Sequence, residues 1–177
     1  MMAGMIRELP LCRPPLSDFQ KVSFKFIIDK MLGGLAKYML ILGFDTLYFS
    51  QNDVNRLIET ARKECRVILT RNSKLQNSIG LPGFLLITDD QPAKQLRQVV
   101  NHFGITIEQD KLFTRCLHCN QKLLKTNAET IKGCVPPYIA SYHQKFFLCP
   151  QCKKVYWGGS HYKMMQEMIW KILGGGR

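Results

Sequence analysis

Two pairs of cysteines constrain the fold of this chain more than any other feature of its sequence. They are Cys116 with Cys119 and Cys149 with Cys152. Each pair places two thiolates on one tight turn, and two such turns can enclose a metal in a tetrahedral four-sulfur cage. Zinc is the metal that this ligand set favours, whereas a rubredoxin-like iron site or disulfides would use the same residues. The spacing therefore predicts a small zinc ribbon whose closed site is structural.

Length and charge limit what surrounds this ribbon. With 177 residues, of which 46% are hydrophobic, the chain can form one larger domain beside a small module. Its formal net charge is +12, and a charge of this sign favours nucleic acid or another anionic surface as the partner. The longest apolar stretch, residues 26–44, is interrupted by Asp29, Lys30 and Lys37, which argues against a membrane span.

The remaining cysteines indicate whether the protein resides in a reducing or an oxidising cellular compartment. Cys12, Cys65 and Cys134 lie outside the two pairs, and their odd number fits a reducing compartment better than a secreted disulfide framework. The first twenty residues lack the apolar core of a signal peptide. We therefore expect a cytoplasmic protein.

Short apolar runs alternate with helical periods between residues 24 and 107. Strands are expected at 24–28, 46–49, 67–70 and 84–88, and helices at 31–42, after 52 or 53, at 73–77, and from 89 or 90 to 103. This alternation predicts an α/β fold, a parallel sheet with covering helices. A last helix is expected at 162–173, with Met164, Met165, Met168 and Ile169 facing the body. We divide the chain into a flexible leader at 1–23, the α/β domain at 24–108, the zinc ribbon at 109–161, and a C-terminal helix with a flexible tail at 162–177.

Polar side chains follow all four predicted strands, at the edge where open parallel sheets bind ligands. They are Asp29, Asp53, Asn72, Asp89 and Asp90. Carboxylates gathered in one crevice repel one another, and a divalent cation such as Mg²⁺ or Mn²⁺ relieves that repulsion. This layout suits metal-assisted cleavage of a phosphodiester. Aspartate and asparagine are also the preferred helix N-caps, and each of these positions precedes a predicted helix, so capping is the alternative for every one.

Several stretches resemble, in order, the Mut7-C family of PIN-like ribonuclease domains, in which a PIN-type α/β sheet precedes a zinc ribbon. They are residues 26–33 (FIIDKMLG), 35–37 (LAK), 40–46 (LILGFDT), 66–71 (RVILTR), 95–96 (QL), 115–120 (RCLHCN), 135–136 (VP) and 156–161 (YWGGSH). The resemblance implies a metal-dependent nuclease acting on RNA, with Asp29 as the leading aspartate, Asp53 at the second acidic position, and Asp89 or Asp90 in the acidic patch after the fourth strand.

One position departs from the family pattern. Asn72 stands where the family usually has aspartate in Thr-Arg-Asp, and an amide offers an oxygen without a charge, so cation affinity should fall. The chain is therefore expected to be a slow or conditional nuclease, or an RNA- or ribonucleoprotein-binding module that has lost activity. A third reading, a zinc-stapled adaptor for proteins, leaves the acidic residues at the strand ends unexplained.

Cations on both modules are candidates for contact with RNA phosphates. Arg71 and Lys74 lie near the predicted crevice, and Lys153 and Lys154 lie on the ribbon. Such contacts give affinity with little sequence selectivity, and an ordinary solvated surface is the alternative. We expect the ribbon to position RNA beside the acidic crevice.

Overall fold

The computed structural model describes residues 24–77 and 83–174. The predicted leader at 1–23 and the end of the predicted tail lie outside these residues. The predicted fold class is confirmed: a four-stranded parallel sheet is flanked by helices, and a small antiparallel sheet follows it.

The parallel sheet has the strand order β2-β1-β3-β4. Its elements are β1 (Lys25–Asp29), α1 (Gly33–Ile41), β2 (Asp45–Phe49), α2 (Val54–Glu64), β3 (Val67–Thr70), β4 (Phe84–Leu86) and α3 (Pro92–Phe103). Short 3-10 turns at Lys30–Leu32 and Ser73–Asn77 follow β1 and β3. Because all four strands are parallel, the ends of β1 to β4 that carry the polar residues lie at one edge.

The central strand β1 is buried on both faces. Phe26 and Ile28 pack into the larger core with α1 and α3, whereas Ile27 packs on the other face with Leu57 and Ala61 of α2. A strand that helices cover on both faces is expected to have consecutive apolar residues instead of an alternating pattern. Residues 26–28 of β1 show this pattern. This packing fixes the position of the residue that ends β1.

The helix boundaries agree with the sequence in some places and correct it in others. Asp53 caps α2 as predicted, since its carboxylate accepts a hydrogen bond of 3.0 Å from the backbone N–H of Arg56. The prediction that Asp89 or Asp90 caps α3 is wrong. Gln91 is the N-cap and Pro92 the first helical residue, because proline has a fixed φ and no N–H to satisfy.

The C-terminal part forms the ribbon and a last helix. Its elements are β5 (Leu124–Thr126), α4 (Pro137–Tyr142), β6 (Phe146–Leu148), β7 (Val155–Trp157) and α5 (Ser160–Ile172). Strands β5, β6 and β7 are antiparallel neighbours in that order. In the described part of the chain, no helix is long and apolar enough to cross a membrane.

Helix α5 packs against the larger domain through a narrower face than the sequence suggested. Ile169 and Ile172 are buried in the core shared with α1 and α3, and Met165 packs against it. The prediction is wrong for Met164, which is 62% exposed. Met168 is also exposed, although its sulfur accepts a hydrogen bond from the Tyr38 hydroxyl.

Candidate active site and metal centre

The four paired cysteines come together at one point. Their sulfur atoms all lie within 4.8 Å of one another, with Cys116 Sγ 3.5 Å from Cys152 Sγ and Cys119 Sγ 3.3 Å from Cys149 Sγ. All four are free thiols in this structure, not disulfides. The cluster therefore has the donors and the proximity for a structural metal such as zinc.

Two similar backbone turns create this cluster. The N–H of Asn120 donates to the Cys116 carbonyl, and the N–H of Lys153 donates to the Cys149 carbonyl. Asn120 and Lys153 both have a positive φ, of 64° and 59°, which reverses the chain after the second cysteine of each pair. The two turns thus present their thiols in the same way.

Tyr156 closes one side of the cluster. Its hydroxyl lies 3.1 Å from Cys116 Sγ and accepts a hydrogen bond of 3.2 Å from the backbone N–H of Leu117. Burial alone raises the pKa of Cys116, but hydrogen bonds from Tyr156 and from the backbone of Cys119 and His118 outweigh it and lower that pKa to about 6. Cys116 is therefore held toward the thiolate form that binds metals.

The cysteines outside the cluster differ from one another. Cys134 is an exposed free thiol, and Cys65 is the C-cap of α2, with a left-handed backbone conformation. Cys12 lies outside the described residues. The reducing compartment expected from these three residues stays a prediction.

A charge network joins the first cysteine turn to the amino end of the parallel sheet. The Asp45 carboxylate, at the start of β2, accepts hydrogen bonds from Arg66 Nη1 at 2.6 Å and Asn120 Nδ2 at 2.8 Å. Arg115 Nη2 lies 3.4 Å from the other carboxylate oxygen. Burial raises the pKa of Asp45, but these hydrogen bonds and the positive charges of Arg66 and Arg115 outweigh it, so that the pKa is lowered. The network therefore links two parts of the chain through charged side chains.

Contacts to the backbone strengthen the same connection between the first cysteine turn and the amino end of the parallel sheet, which we call the junction. Arg115 Nε donates to the Gly43 carbonyl at 3.0 Å, and the N–H of Phe113 donates to the Ile41 carbonyl at 2.7 Å. Gly43 has a φ of +84°, and a Cβ there would lie 2.2 Å from the Lys111 carbonyl oxygen. Only glycine permits this approach.

The junction places the cysteine cluster away from the acidic strand ends. Lys25 pairs with Asp45 and Asp29 pairs with Phe49 in the register of β1 and β2, so Asp45 and Asp29 mark opposite ends of the sheet, roughly 13 Å apart along the strand. The prediction that the ribbon lies beside the acidic crevice is therefore wrong for its first cysteine turn. Sequence reasoning could not see this, because the network joins residues far apart in the chain.

Asp29 is the most deeply placed of the predicted acidic residues, at 8% exposure. One carboxylate oxygen accepts a hydrogen bond of 2.8 Å from the backbone N–H of Met31, and the other accepts one from the Thr70 hydroxyl. Thr70 is fully buried at the end of β3, and its hydroxyl oxygen accepts from the backbone N–H of Asn72 at 3.0 Å. Sequence reasoning missed Thr70, because a threonine that ends an apolar strand looks like any other β-branched residue.

The other predicted acidic residues have separate local partners. Asp53 caps α2, and Asp89 accepts from the backbone N–H of Gln91 at 2.9 Å. Asp90 forms a salt bridge with Arg71. Across residues 24–77 and 83–174, the cysteines are the group in which three or more metal-ligating side chains meet. The structure thus brings Asp53, Asp89 and Asp90 to the same edge as Asp29 but not into one ligand shell with it.

The remaining candidates lie at two different places. The Asn72 side-chain oxygen accepts from the backbone N–H of Lys74 at 3.1 Å, at the carboxyl edge of the sheet together with Arg71. Lys153 and Lys154 are exposed on the second cysteine turn. The cations predicted to contact RNA therefore do not form one continuous patch around Asp29.

Gln95 is a further polar residue at the carboxyl edge. It is buried on α3, and its amide nitrogen donates to the backbone carbonyls of Asp89 at 2.9 Å and Asp90 at 3.3 Å. Within the described residues its side-chain oxygen has no hydrogen-bond partner. Gln95 thus fixes the turn that carries both aspartates.

Comparisons with known proteins found a matching family and a similar human protein. A family model described as Mut7-C RNAse domain matches residues 24–169. A human protein named exonuclease mut-7 homolog is 32% identical over 116 residues, which make up 62% of this chain and 13% of that protein. The chain therefore spans a small part of that relative's length. No solved structure matches the chain.

Proposed function

The chain belongs to the Mut7-C RNase domain family, and from this membership we propose that it hydrolyses RNA phosphodiesters at a PIN-type site centred on Asp29, with Mg²⁺ or Mn²⁺ as cofactor. The observation that carries the proposal is the environment of Asp29. This carboxylate is buried at the carboxyl end of the central strand, and no lysine or arginine of the described residues forms a salt bridge with it. A buried negative charge without a cationic partner is costly, and a divalent cation would offset it.

The donors at this edge fit a hard divalent cation. Mg²⁺ keeps several waters and is commonly held by one or two carboxylates together with substrate phosphates, so a cage of three carboxylates is not required. Asp29 would be the first ligand. Asp53 follows β2, the neighbour of β1, and would contact the cation through one of its bound waters, whereas β3 separates Asp89 and Asp90 from β1. The strand that precedes these two residues, β4, therefore lies roughly 10 Å from β1 across the sheet.

The chain's own residues hold the site in place. Thr70 and the N–H of Met31 each donate to one oxygen of Asp29, which fixes the carboxylate and leaves a further lone pair on each oxygen. Arg71 and Lys74 follow β3 and would bind RNA phosphates. A bound divalent cation would polarise the scissile phosphate and offset the charge that develops during cleavage.

A cleavage assay on labelled single-stranded RNA tests this proposal. Wild type should cleave with Mn²⁺ or Mg²⁺ added and not without them, and Asp29→Asn should lose at least roughly a hundredfold in rate. Glu108→Gln is the matched control, because Glu108 is an exposed acid that pairs with Lys111 away from the strand ends. Equal activity of wild type and Asp29→Asn at equal folding would refute the proposal.

Asn72 supports a second candidate, an RNA-binding domain without hydrolytic activity. Its amide offers no charge to a cation, and its oxygen already accepts a hydrogen bond from the N–H of Lys74. The variant Asn72→Asp separates the two candidates. A gain in cleavage would support the nuclease. If wild type and Asn72→Asp both bind RNA and neither cleaves it, the binding function is the correct one.

A further inference from the structure

An exposed aromatic surface lies on α4, far along the chain from Asp29. Tyr138 and Tyr142 are 69% and 83% exposed, and they are four residues apart on one helix, so their side chains share a face. Ile139 and Ala140 on the other side of α4 are partly buried. The helix thus has one partly covered face and presents two tyrosine rings to solvent.

The backbone around these rings is restrained. Two prolines stand at the start of α4: Pro136 is the N-cap and Pro137 is the first helical residue. Proline limits the backbone conformations available where the chain enters the helix. After α4, the His143 ring lies edge-on to Tyr142 at 5.2 Å between ring centroids and edge-on to the buried Phe146 at 6.4 Å. The tyrosine face is therefore attached to the ribbon core, and little conformational entropy would be lost on binding.

The charge around this face has one sign. Residues 112–163 contain a single acidic residue, Glu129. The lysines of this segment are all exposed, and none of them forms a salt bridge among the residues that the structure describes. They are Lys122, Lys125, Lys132, Lys145, Lys153, Lys154 and Lys163. Lys132 and Lys145 flank α4 in the sequence. A partner for this surface should therefore be polyanionic.

We propose that Tyr138 and Tyr142 form a base-stacking platform for single-stranded RNA, with the ribbon lysines holding its phosphates. Exposed aromatic rings among cations are how proteins bind single strands with little sequence preference. In a duplex the bases stack on one another and their faces are covered, so this surface selects unpaired segments. The inference deepens the proposed nuclease by assigning it a single-stranded substrate, and it rests on that function only for the choice of RNA.

The position of the platform gives it a role separate from cleavage. α4 precedes β6, whose far end leads into Cys149, and the cysteine cluster is joined to the amino end of the sheet through Asn120 and Asp45. RNA bound to the ribbon therefore has to extend from the amino end of the parallel sheet to its carboxyl end in order to reach Asp29. The platform would retain a strand between cleavage events.

Fluorescence anisotropy with a labelled oligouridine of roughly ten nucleotides tests the platform. The zinc-loaded protein is measured without added Mg²⁺ or Mn²⁺, so that binding is observed without cleavage. Tyr138→Ala and Tyr142→Ala should each weaken binding at least about fivefold, since loss of one stacked base costs about 1–3 kcal/mol. Tyr138→Phe and Tyr142→Phe keep the rings and should bind like wild type. Met164→Ala is the control: it removes an exposed apolar side chain elsewhere and should also bind like wild type.

A duplex RNA of the same length and a parallel cleavage assay complete the experiment. Binding of the duplex should be weaker and unaffected by the alanine substitutions. Alanine variants that bind oligouridine like wild type would overturn the platform and assign the face to another class of partner, such as a protein. Cleavage that depends on Asp29 but not on the tyrosines leaves the proposed nuclease intact, whereas tyrosine-dependent binding without any cleavage supports the platform and refutes the nuclease.

Discussion

Asp45→Asn tests whether charge holds the ribbon to the amino end of the sheet. The substitution keeps the size of the side chain and removes its negative charge. In the native protein this carboxylate is shared by Arg66, Arg115 and Asn120. We expect the variant to fold and to be less stable, because two guanidinium groups lose the charge that faces them.

The magnitude follows from the burial of Arg66. Removing one partner of a buried ion pair costs about 3–5 kcal/mol, and the Arg66 side chain is 9% exposed. Arg66 keeps hydrogen bonds to Glu64 at 2.7 Å and to the Phe26 carbonyl at 3.2 Å. We therefore expect a loss of about 3 kcal/mol in the free energy of unfolding. At this chain length, that loss lowers Tm by roughly 6–12 °C.

Urea denaturation followed by circular dichroism measures this loss. The midpoint for Asp45→Asn should fall while the slope m stays unchanged, because the surface exposed on unfolding is the same. Glu108→Gln removes a carboxylate from an exposed pair and should cost no more than about 0.5 kcal/mol. An Asp45→Asn variant as stable as Glu108→Gln would refute the reasoning, and would mean that backbone contacts alone hold the junction.

The pH dependence supplies an independent arm of this test. The pKa of Asp45 in the folded protein is lowered from 3.8. A carboxyl with a lowered pKa adds stability above its unfolded pKa, and this contribution is lost as the pH falls through the folded value. The free-energy difference between wild type and Asp45→Asn should therefore be constant above about pH 5 and shrink as the pH falls below about 4. Acid would release a metal held by the four cysteines from both proteins alike, so the difference between them is the quantity to measure.

Three further outcomes are expected. Gly43→Ala should lower the free energy of unfolding by about 1–3 kcal/mol or more, because Gly43 has a positive φ and lies close to the Lys111 carbonyl. Thermal denaturation measures this loss, and an unchanged stability would contradict the close approach. Tyr156→Phe should weaken zinc binding roughly tenfold or more in competition with a chromophoric chelator, because Cys116 loses its hydroxyl partner; unchanged affinity would show that the contact does not matter to the metal. A chelator that removes a metal from the four cysteines should lower hydrogen-exchange protection in β5, β6 and β7 before it does so in β1. Equal loss in both would mean that the two sheets unfold together.

Local patterns predicted much of the parallel sheet. Strand β3 occupies the residues expected from its apolar run, 67–70, and Asp53 caps α2 because the side chain and the N–H groups that it satisfies are near in sequence. The four cysteines were predicted as one cluster from spacing alone. These features depend on residues close together in the chain or on ligand chemistry, which a sequence displays directly.

The errors arose where distant residues or competing local rules decide the outcome. Pro92 determined the start of α3 against the capping preference of Asp89 and Asp90. The location of the ribbon at the amino end of the sheet depends on Asp45 and Asn120, which are 75 residues apart and belong to no common periodic pattern. The partner of Asp29, Thr70, was similarly hidden, because a threonine at the end of an apolar strand looks like any β-branched residue.

The burial of Ile169 and Ile172 in the main core has a consequence for how the chain folds during synthesis. Helix α3 also needs α5, since Arg97 donates two hydrogen bonds to the Ile172 carbonyl. A nascent chain that has completed α3 must wait for about 70 more residues, some seconds of translation, before this core is covered. A polypeptide cut after residue 108 would expose the same apolar face, and we expect it to aggregate. The parallel-sheet domain therefore depends on α5, which follows the ribbon in the chain, to cover its core.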